Sequence, residues 1–224
     1  LGREPVRIAV FHHLPSGGAL KLVAQSASLL AERGHEVALF TFSSAEREFA
    51  PWPLRGAVDV EPLTLGGAGE LRRYYRATRA LAARITAWRP DVAWIEKCRL
   101  IGHPPIVNAL AVPTVLHTHE PRRMRALEAL APVDASDAGV EALPNPRHGP
   151  REFLAKLPRA AWAWRVARAD RAAIRGAGRV LTSSRFTAEW LRRAYGVSAS
   201  VLAPGVDTAR FSPAASPRER RIVT

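Results

Sequence analysis

The sequence predicts an α/β protein built on a doubly wound parallel sheet. Short apolar runs alternate along the chain with longer stretches in which apolar residues recur at helical spacing. The first run, residues 6–11 (VRIAVF), is continuous, as expected of a strand that is buried on both faces of a parallel sheet. A glycine loop, an amphipathic stretch and a second apolar run at 35–42 follow it, which is the order of a βαβ unit.

The composition is that of a single large globular domain. The 224 residues are 47% hydrophobic and 24% charged, and a chain of this length can bury a sizeable core. No apolar run is long enough to predict a membrane span, and no signal-peptide pattern precedes the first strand. The single Cys98 excludes an intrachain disulfide and a multi-cysteine zinc site. We therefore expect a cytoplasmic protein.

The charge is strongly positive. Thirty-three Lys and Arg residues against 20 Asp and Glu give a formal net charge of +13, which favours anionic partners. Nucleic acid, a negatively charged membrane surface and a sugar nucleotide all meet this description. The basic residues do not form a compact block, so arginines scattered over solvated helix faces are the alternative interpretation.

Gly17 and Gly18 follow the first predicted strand and precede a helix that ends at Gly34. Glycine lets the backbone approach a ligand closely, and the N-terminus of the next helix offers unpaired N–H groups to a phosphate. The loop lacks both the dinucleotide-binding pattern Gly-x-Gly-x-x-Gly and the P-loop pattern. A glycine pair of this kind is also common in turns that bind nothing.

The middle of the chain continues the alternation. A strand is predicted at 58–65, a helix at 70–88, a strand at 92–95 and a short helix at 106–110. Glu96 directly follows its strand. Ligands of open α/β sheets bind at the carboxyl ends of the strands, so Glu96 is a candidate site residue.

Residues 112–119 form a strand that runs into a polar cluster. His117 and His119 are two positions apart, so they point to the same face of a strand. A metal site with Glu120 as a helping ligand is conceivable, but no third nitrogen or thiolate is spaced to complete it, and no metal is expected.

Residues 121–175 hold two basic features. Arg122 and Arg123 are predicted to lie in a long loop and are candidates for binding an acceptor phosphate, with a solvated loop as the alternative. Residues 151–175 are predicted to form a helix that is interrupted at Pro158, with apolar residues on one face and arginines elsewhere. This helix either packs in the domain or lies as a basic amphipathic surface on an anionic membrane.

The last part of the chain carries the most specific motif. A strand at 180–182 precedes Ser183 and Ser184, which can cap a helix in which Phe186, Trp190 and Leu191 recur at helical spacing and which Gly196 ends. A strand at 201–203 and the turn Pro204-Gly205 follow. Ser184-Arg-Phe186 and Pro204-Gly-Val-Asp-Thr-Ala-Arg-Phe-Ser-Pro213 resemble the end of the first domain in family 4 glycosyltransferases. Pro15-Ser-Gly-Gly-Ala19 and Arg33-Gly-His-Glu-Val37 resemble the opening of that domain.

The resemblance implies the fold, the chemistry and the division of the chain. Residues 1–205 would be the Rossmann-like N-terminal half of a GT-B fold, and 206–224 a linker and the start of a missing C-terminal domain. Enzymes of this family transfer a sugar from a nucleotide-sugar donor to an acceptor with retention, usually without a metal. Their second domain holds the donor through paired basic residues and Glu-x7-Glu, so this chain alone should be inactive.

The resemblance also implies site residues. His119 matches the family histidine that lies beside the donor sugar and supports transfer, Glu120 the acidic residue that follows it, and the glycine loop the segment against the donor diphosphate or acceptor. The donor- or acceptor-binding candidates are thus Gly17, Gly18, Glu96, Glu120, Arg122, Ser184, Gly205 and Asp207.

Three other functions stay open from the sequence. A non-catalytic half-enzyme would need a partner chain that supplies the C-terminal domain in trans, or would bind an anionic membrane as a peripheral protein or a nucleotide. Nucleic acid is not expected, because aromatic residues are not interleaved with the basic ones. A nicotinamide-dependent oxidoreductase is disfavoured by the missing glycine pattern.

Overall fold

A computed structural model describes residues 4–15, 17–43, 58–64, 69–98, 101–119 and 164–206. Within these residues the chain forms one sheet of seven strands. The strands are β1 (Arg7–His13), β2 (Glu36–Phe42), β3 (Val58–Glu61), β4 (Val92–Cys98), β5 (Thr114–Thr118), β6 (Arg179–Thr182) and β7 (Ser200–Val201). The helices are α1 (Gly18–Glu32), α2 (Glu70–Trp88), α3 (164–176), α4 (Arg185–Tyr195) and a 3-10 helix (Pro105–Ala109).

The sheet has the strand order β3-β2-β1-β4-β5-β6-β7, and every neighbouring pair is parallel. The order reverses between β1 and β4, as in a Rossmann-like, doubly wound sheet. The predicted fold class is therefore confirmed. Because all strands run the same way, their carboxyl ends share one border of the sheet, which we call the carboxyl edge.

Helices cover both faces of the sheet. In β1, Ile8 and Val10 belong to the core layer beneath α1, whereas Ala9 and Phe11 belong to the opposite layer beneath α2, α3 and α4. Burial on both faces explains why the first strand is a continuous apolar run rather than an alternating one. None of the helices in the described ranges is long and apolar enough to cross a membrane.

Most predicted elements lie within a few residues of the observed ones, and α2 matches its predicted range. β4 continues three residues past the predicted end to Cys98, so Glu96 lies inside the strand rather than after it. Phe186 was expected on the apolar face of α4 but is 61% exposed, whereas Trp190 and Leu191 are buried as predicted.

The start and the end of α4 follow the capping rules. The Oγ of Ser184 accepts a hydrogen bond from the backbone N–H of Thr187 at 3.1 Å, which satisfies one of the unpaired donors at the helix N-terminus. Gly196 ends the helix with φ of 68°, a left-handed conformation that glycine adopts without steric cost.

A buried carboxylate joins the last two helices. Tyr195 of α4 donates its hydroxyl to Asp170 of α3 at 2.5 Å, and the backbone N–H of His103 donates to the same carboxylate at 2.8 Å. Burial raises the pKa of Asp170, but its contacts with His103 and Tyr195 outweigh burial and lower it. An ionised, fully bonded Asp170 therefore holds α3 against α4.

Candidate functional site

Glu96, His117 and His119 meet at the carboxyl edge, beside the point where the strand order reverses. Glu96 of β4 and His117 of β5 are partners in the strand register, so their side chains lie next to each other on one face. His119 follows two residues after His117 and therefore points to the same face, as predicted. The two imidazole rings have centroids 4.2 Å apart.

The carboxylate of Glu96 is fully buried and binds three neighbours. Its Oε1 lies 2.8 Å from Nδ1 of His117 and accepts a hydrogen bond from Nε1 of Trp94 at 2.9 Å. Its Oε2 lies 3.1 Å from Nε2 of His119. Both oxygens thus have partners, as a buried carboxylate requires. We call these four residues, Glu96, Trp94, His117 and His119, the Glu96 cluster.

The Glu96 cluster favours an ionised carboxylate. Burial raises the pKa of Glu96, but the hydrogen bonds and charges of His117 and His119 outweigh burial and lower it. A carboxylate only accepts, so these contacts assign a proton to Nδ1 of His117 and to Nε2 of His119. The Nε2 atom of His117 is buried and has no hydrogen-bond partner among the described residues.

The remaining nitrogen of His119 is Nδ1, and the His119 side chain is 14% exposed, whereas those of Glu96 and His117 are 0% and 3% exposed. His119 is therefore the member of the cluster that a ligand can reach, through an Nδ1 atom that accepts a hydrogen bond when the ring is neutral. Glu96 fixes the orientation of the ring through its contact with Nε2.

His12, near the end of β1, is a buried histidine that the sequence reasoning did not single out. Burial lowers its pKa to about 4, although the nearby charge of Glu96 raises it. Its Nδ1 accepts a hydrogen bond from the backbone N–H of Leu14 at 3.4 Å. The position of His12 directly after an apolar run, like that of Glu96, is the signal that could have identified it.

Replacing His12 with asparagine should reduce the loss of stability in acid. An unfolded histidine takes up a proton as the pH falls through 6.5, whereas folded His12 resists protonation down to about 4. The unfolded state binds more protons in this window, so acidification from about pH 7 to about pH 5 costs the native protein ~2 kcal/mol at this residue. Asparagine does not titrate and keeps an acceptor for the N–H of Leu14.

Urea unfolding of the native protein and the His12→Asn variant at both pH values measures this difference. Equal losses of unfolding free energy in the two proteins would show that His12 is not desolvated in the folded state.

The turn between β6 and α4 lies against His119. The hydroxyls of Ser183 and Thr187 donate to the backbone carbonyl of His119 at 3.4 Å and 3.5 Å. Ser184 bonds to the hydroxyl and to the N–H of Thr187, so it borders the cluster through one intervening residue. The structure thus brings Ser184 and Glu96 near His119.

The glycine candidates lie apart from these contacts. Gly17, the residue before α1, and Gly18, the first residue of that helix, are at the carboxyl edge, and a side chain added at either would meet nothing within 4 Å. Gly205 lies in the exposed stretch after β7 and also has open space around it. Glu120, Arg122 and Asp207 lie outside the described residues.

In the described part of the chain, one group of three residues offers ligand atoms for a metal ion. These are Glu96, His117 and His119, whose ligand atoms lie within 4.8 Å of one another. The carboxylate of this group, Glu96, comes from the neighbouring strand, and the strand register places it beside His117. A carboxylate and two imidazoles are ligands that zinc uses. Their mutual hydrogen bonds, with that from Trp94, satisfy the carboxylate without a cation.

Comparison with known proteins gives one family match. The sequence model of the family described as Glycosyltransferase Family 4 matches residues 16–210. A comparison with curated proteins finds no match.

Solved structures with a similar chain path include LpCGTa in complex with UDP, at 17% identity over 90% of this chain and 51% of that one, with a TM-score of 0.49. Anabaena Alr3699/HepE in complex with UDP and glucose is similar at 14% identity over 94% of this chain and 47% of its own, also with a TM-score of 0.49. The chain spans about half the length of these structures.

Proposed function

Because this chain belongs to glycosyltransferase family 4, we propose that it is the acceptor-side half of an enzyme that transfers a sugar from a nucleotide-sugar donor to an acceptor with retention. The observation that carries the proposal is the Glu96 cluster. It presents His119, oriented by a buried carboxylate, at the carboxyl edge where sheets of this kind bind ligands.

In this proposal His119 is the residue that contacts the donor sugar. Its Nε2–H is held by Glu96, so its Nδ1 can accept a hydrogen bond from a sugar hydroxyl beside the reacting carbon. Trp94 and His117 hold the other oxygen of Glu96 and keep the carboxylate from rotating. Orienting a polar group before the substrate arrives lowers the reorganisation needed in the transition state.

In the proposal, the remaining candidate residues line the space around His119 and the donor sugar. Gly17 and Gly18 leave space in front of the first N–H groups of α1, where a diphosphate or acceptor fits. Glu120 and Arg122 would contribute to the acceptor side, and Ser184, Gly205 and Asp207 to the border with the donor-binding domain.

We propose that transfer requires a C-terminal domain, supplied by the same or another polypeptide, and no metal cofactor. The leaving diphosphate must be stabilised as the bond to the sugar breaks, and donor and acceptor must be held together. In family 4 the paired basic residues and the Glu-x7-Glu element that hold the donor belong to the C-terminal domain. A cytoplasmic location follows from the use of a nucleotide sugar.

A second candidate function is a binding module that associates with an anionic membrane surface without catalysis. The observation that favours it is the net charge of +13, together with exposed arginines on α2 and α3.

Activity assays with a panel of nucleotide sugars test the proposed transfer. The 224-residue chain alone should be inactive, whereas a polypeptide that also contains the C-terminal domain, or a mixture with that domain, should transfer sugar in the presence of a chelator. Nuclear magnetic resonance of the product should show retained anomeric configuration. An inverted product, or full activity of the 224-residue chain alone, would contradict the proposal.

A further inference from the structure

A group of exposed arginines lies on two helices, α2 and α3, that do not contribute residues to the Glu96 cluster. Arg72, Arg76 and Arg79 are spaced along one face of α2, and Arg165 and Arg168 lie on α3. We call these five residues the basic face. α2 and α3 come together here, because Tyr75 and Arg79 line the same 270 Å³ cavity as Ala169 and Ala172.

Within the described residues, three arginines of the basic face lack the acidic partner that the exposed arginines at the end of α4 have. Arg192 and Arg193 of α4 both bind Glu189, at 2.8 Å and 2.7 Å. By contrast, Arg72, Arg76 and Arg79 make no ion pair with a described residue, and they border an open depression of about 890 Å³ with Tyr75.

The two helices contain almost no acidic residues that could neutralise the basic face. α2 has only Glu70, and residues 164–176 of α3 have only Asp170, which is buried against Tyr195. Repulsion among unpaired like charges destabilises a folded protein, so a surface of this kind is best explained by an anionic partner.

The connections of the sheet place much of this surface towards one end of the molecule. α2 follows β3, so its first turns, with Arg72 and Arg76, lie towards the carboxyl edge. α3 precedes β6, so its last turn lies at the opposite edge and residues 164–168 lie towards the carboxyl edge. The same part of α3 carries Trp164, which is 53% exposed with the guanidinium group of Arg168 5.5 Å from its ring centre.

From these observations we infer that the basic face, with Trp164, docks the protein on the surface of an anionic phospholipid bilayer. Arginines attract the phosphate-rich surface, and a tryptophan is well suited to the depth of the headgroups. Docking of this kind turns the carboxyl edge, and the Glu96 cluster with it, towards the bilayer. The inference does not depend on sugar transfer, because docking needs neither a donor nor the cluster.

Sedimentation with lipid vesicles tests the inference on the full 224-residue chain. The native protein should bind phosphatidylcholine vesicles that contain phosphatidylglycerol and should not bind phosphatidylcholine alone. Each arginine near an anionic surface strengthens binding roughly fivefold, so the triple variant Arg72→Gln, Arg76→Gln, Arg79→Gln should bind on the order of a hundredfold more weakly. Trp164→Ala should weaken binding without a change in charge.

The matched control removes an equal number of positive charges, three, at the opposite edge of the sheet. Arg33, at the end of α1, and Arg192 with Arg193, at the end of α4, all lie towards the amino ends of the strands. Their replacement by glutamine should weaken binding much less, because charges beyond about one Debye length of the lipid are screened.

Three results would overturn the inference. Equal weakening in the two triple variants would show that only net charge matters. Absence of binding to anionic vesicles would exclude a lipid partner, and binding of duplex DNA through the same arginines, without vesicle binding, would identify nucleic acid as the partner instead. Circular dichroism of each variant checks that the fold is retained.

Discussion

Replacing His119 with alanine should lower the rate of sugar transfer by about a hundredfold or more, the usual contribution of a positioned polar group at a reacting centre. The variant is to be made in a polypeptide that includes the donor-binding domain. The effect should fall mainly on kcat, because His119 is proposed to act where charge develops rather than where the acceptor is held. Its side chain is only 14% exposed and bonds to the buried carboxylate of Glu96, so its removal should also lower the melting temperature. Activity is therefore to be measured well below that temperature.

His35→Ala is the matched control for this prediction. His35 lies before β2, at the amino ends of the strands, where its Nδ1 accepts a hydrogen bond from the backbone N–H of Val6 at 3.2 Å. Removing it deletes the same kind of side chain at the opposite edge and should not change transfer. Retention of full activity by His119→Ala would show that the Glu96 cluster is not the reacting centre.

Replacing Glu96 with alanine should destabilise the folded chain by ~3 kcal/mol at neutral pH. The side chain is fully buried, and its removal leaves the Trp94 indole N–H and the ring nitrogens of His117 and His119 without their acceptor. Buried donors that lose their partner cost the full penalty of desolvation. Glu96→Gln keeps the shape and one acceptor oxygen, so its cost should be smaller.

Urea unfolding measures both variants, with Glu36→Ala as the control. Glu36 pairs with Arg7 at 2.9 Å, but its side chain is 58% exposed, and exposed pairs of this kind contribute less than ~1 kcal/mol. A loss as small for Glu96→Ala as for Glu36→Ala would contradict the geometry described for the Glu96 cluster.

The pH dependence of the Glu96→Ala effect has a definite sign. The pKa of folded Glu96 lies below its ordinary value of 4.5. A carboxyl with a lowered pKa contributes stability above its unfolded pKa and loses it as the pH falls through the folded pKa. The difference between the native protein and Glu96→Ala should therefore be constant near neutral pH and shrink below about pH 4.

The ranges of three helices and the shared face of two histidines could be predicted from the local spacing of residues. The spacing of apolar residues predicted the ranges of α1, α2 and α4 closely, because a helix on a sheet must place its buried side chains at fixed intervals. His117 and His119 were predicted to share a face because successive residues of a strand point to alternate faces of the sheet.

The carboxylate that bonds to the two histidines could not be predicted from any single segment of the sequence. Adjacency in sequence suggested Glu120, which lies outside the described residues, as a partner of the histidines. The bonds of both histidines to Glu96, over 20 positions earlier, were not predicted. That pairing depends on the register of β4 against β5, which is set by how the whole sheet packs.

The sequence by itself determined the parallel α/β architecture, the glycine loop, the cap at Ser184 and the family to which the chain belongs. These follow from periodicity, capping chemistry and motif spacing, which are properties of short segments. Only the tertiary structure decided that Glu96 bonds to Trp94, His117 and His119. It also decided that His12 is desolvated and that arginines from α2 and α3 form one surface. Burial and strand register are collective properties of the packed chain, so no single segment contains them.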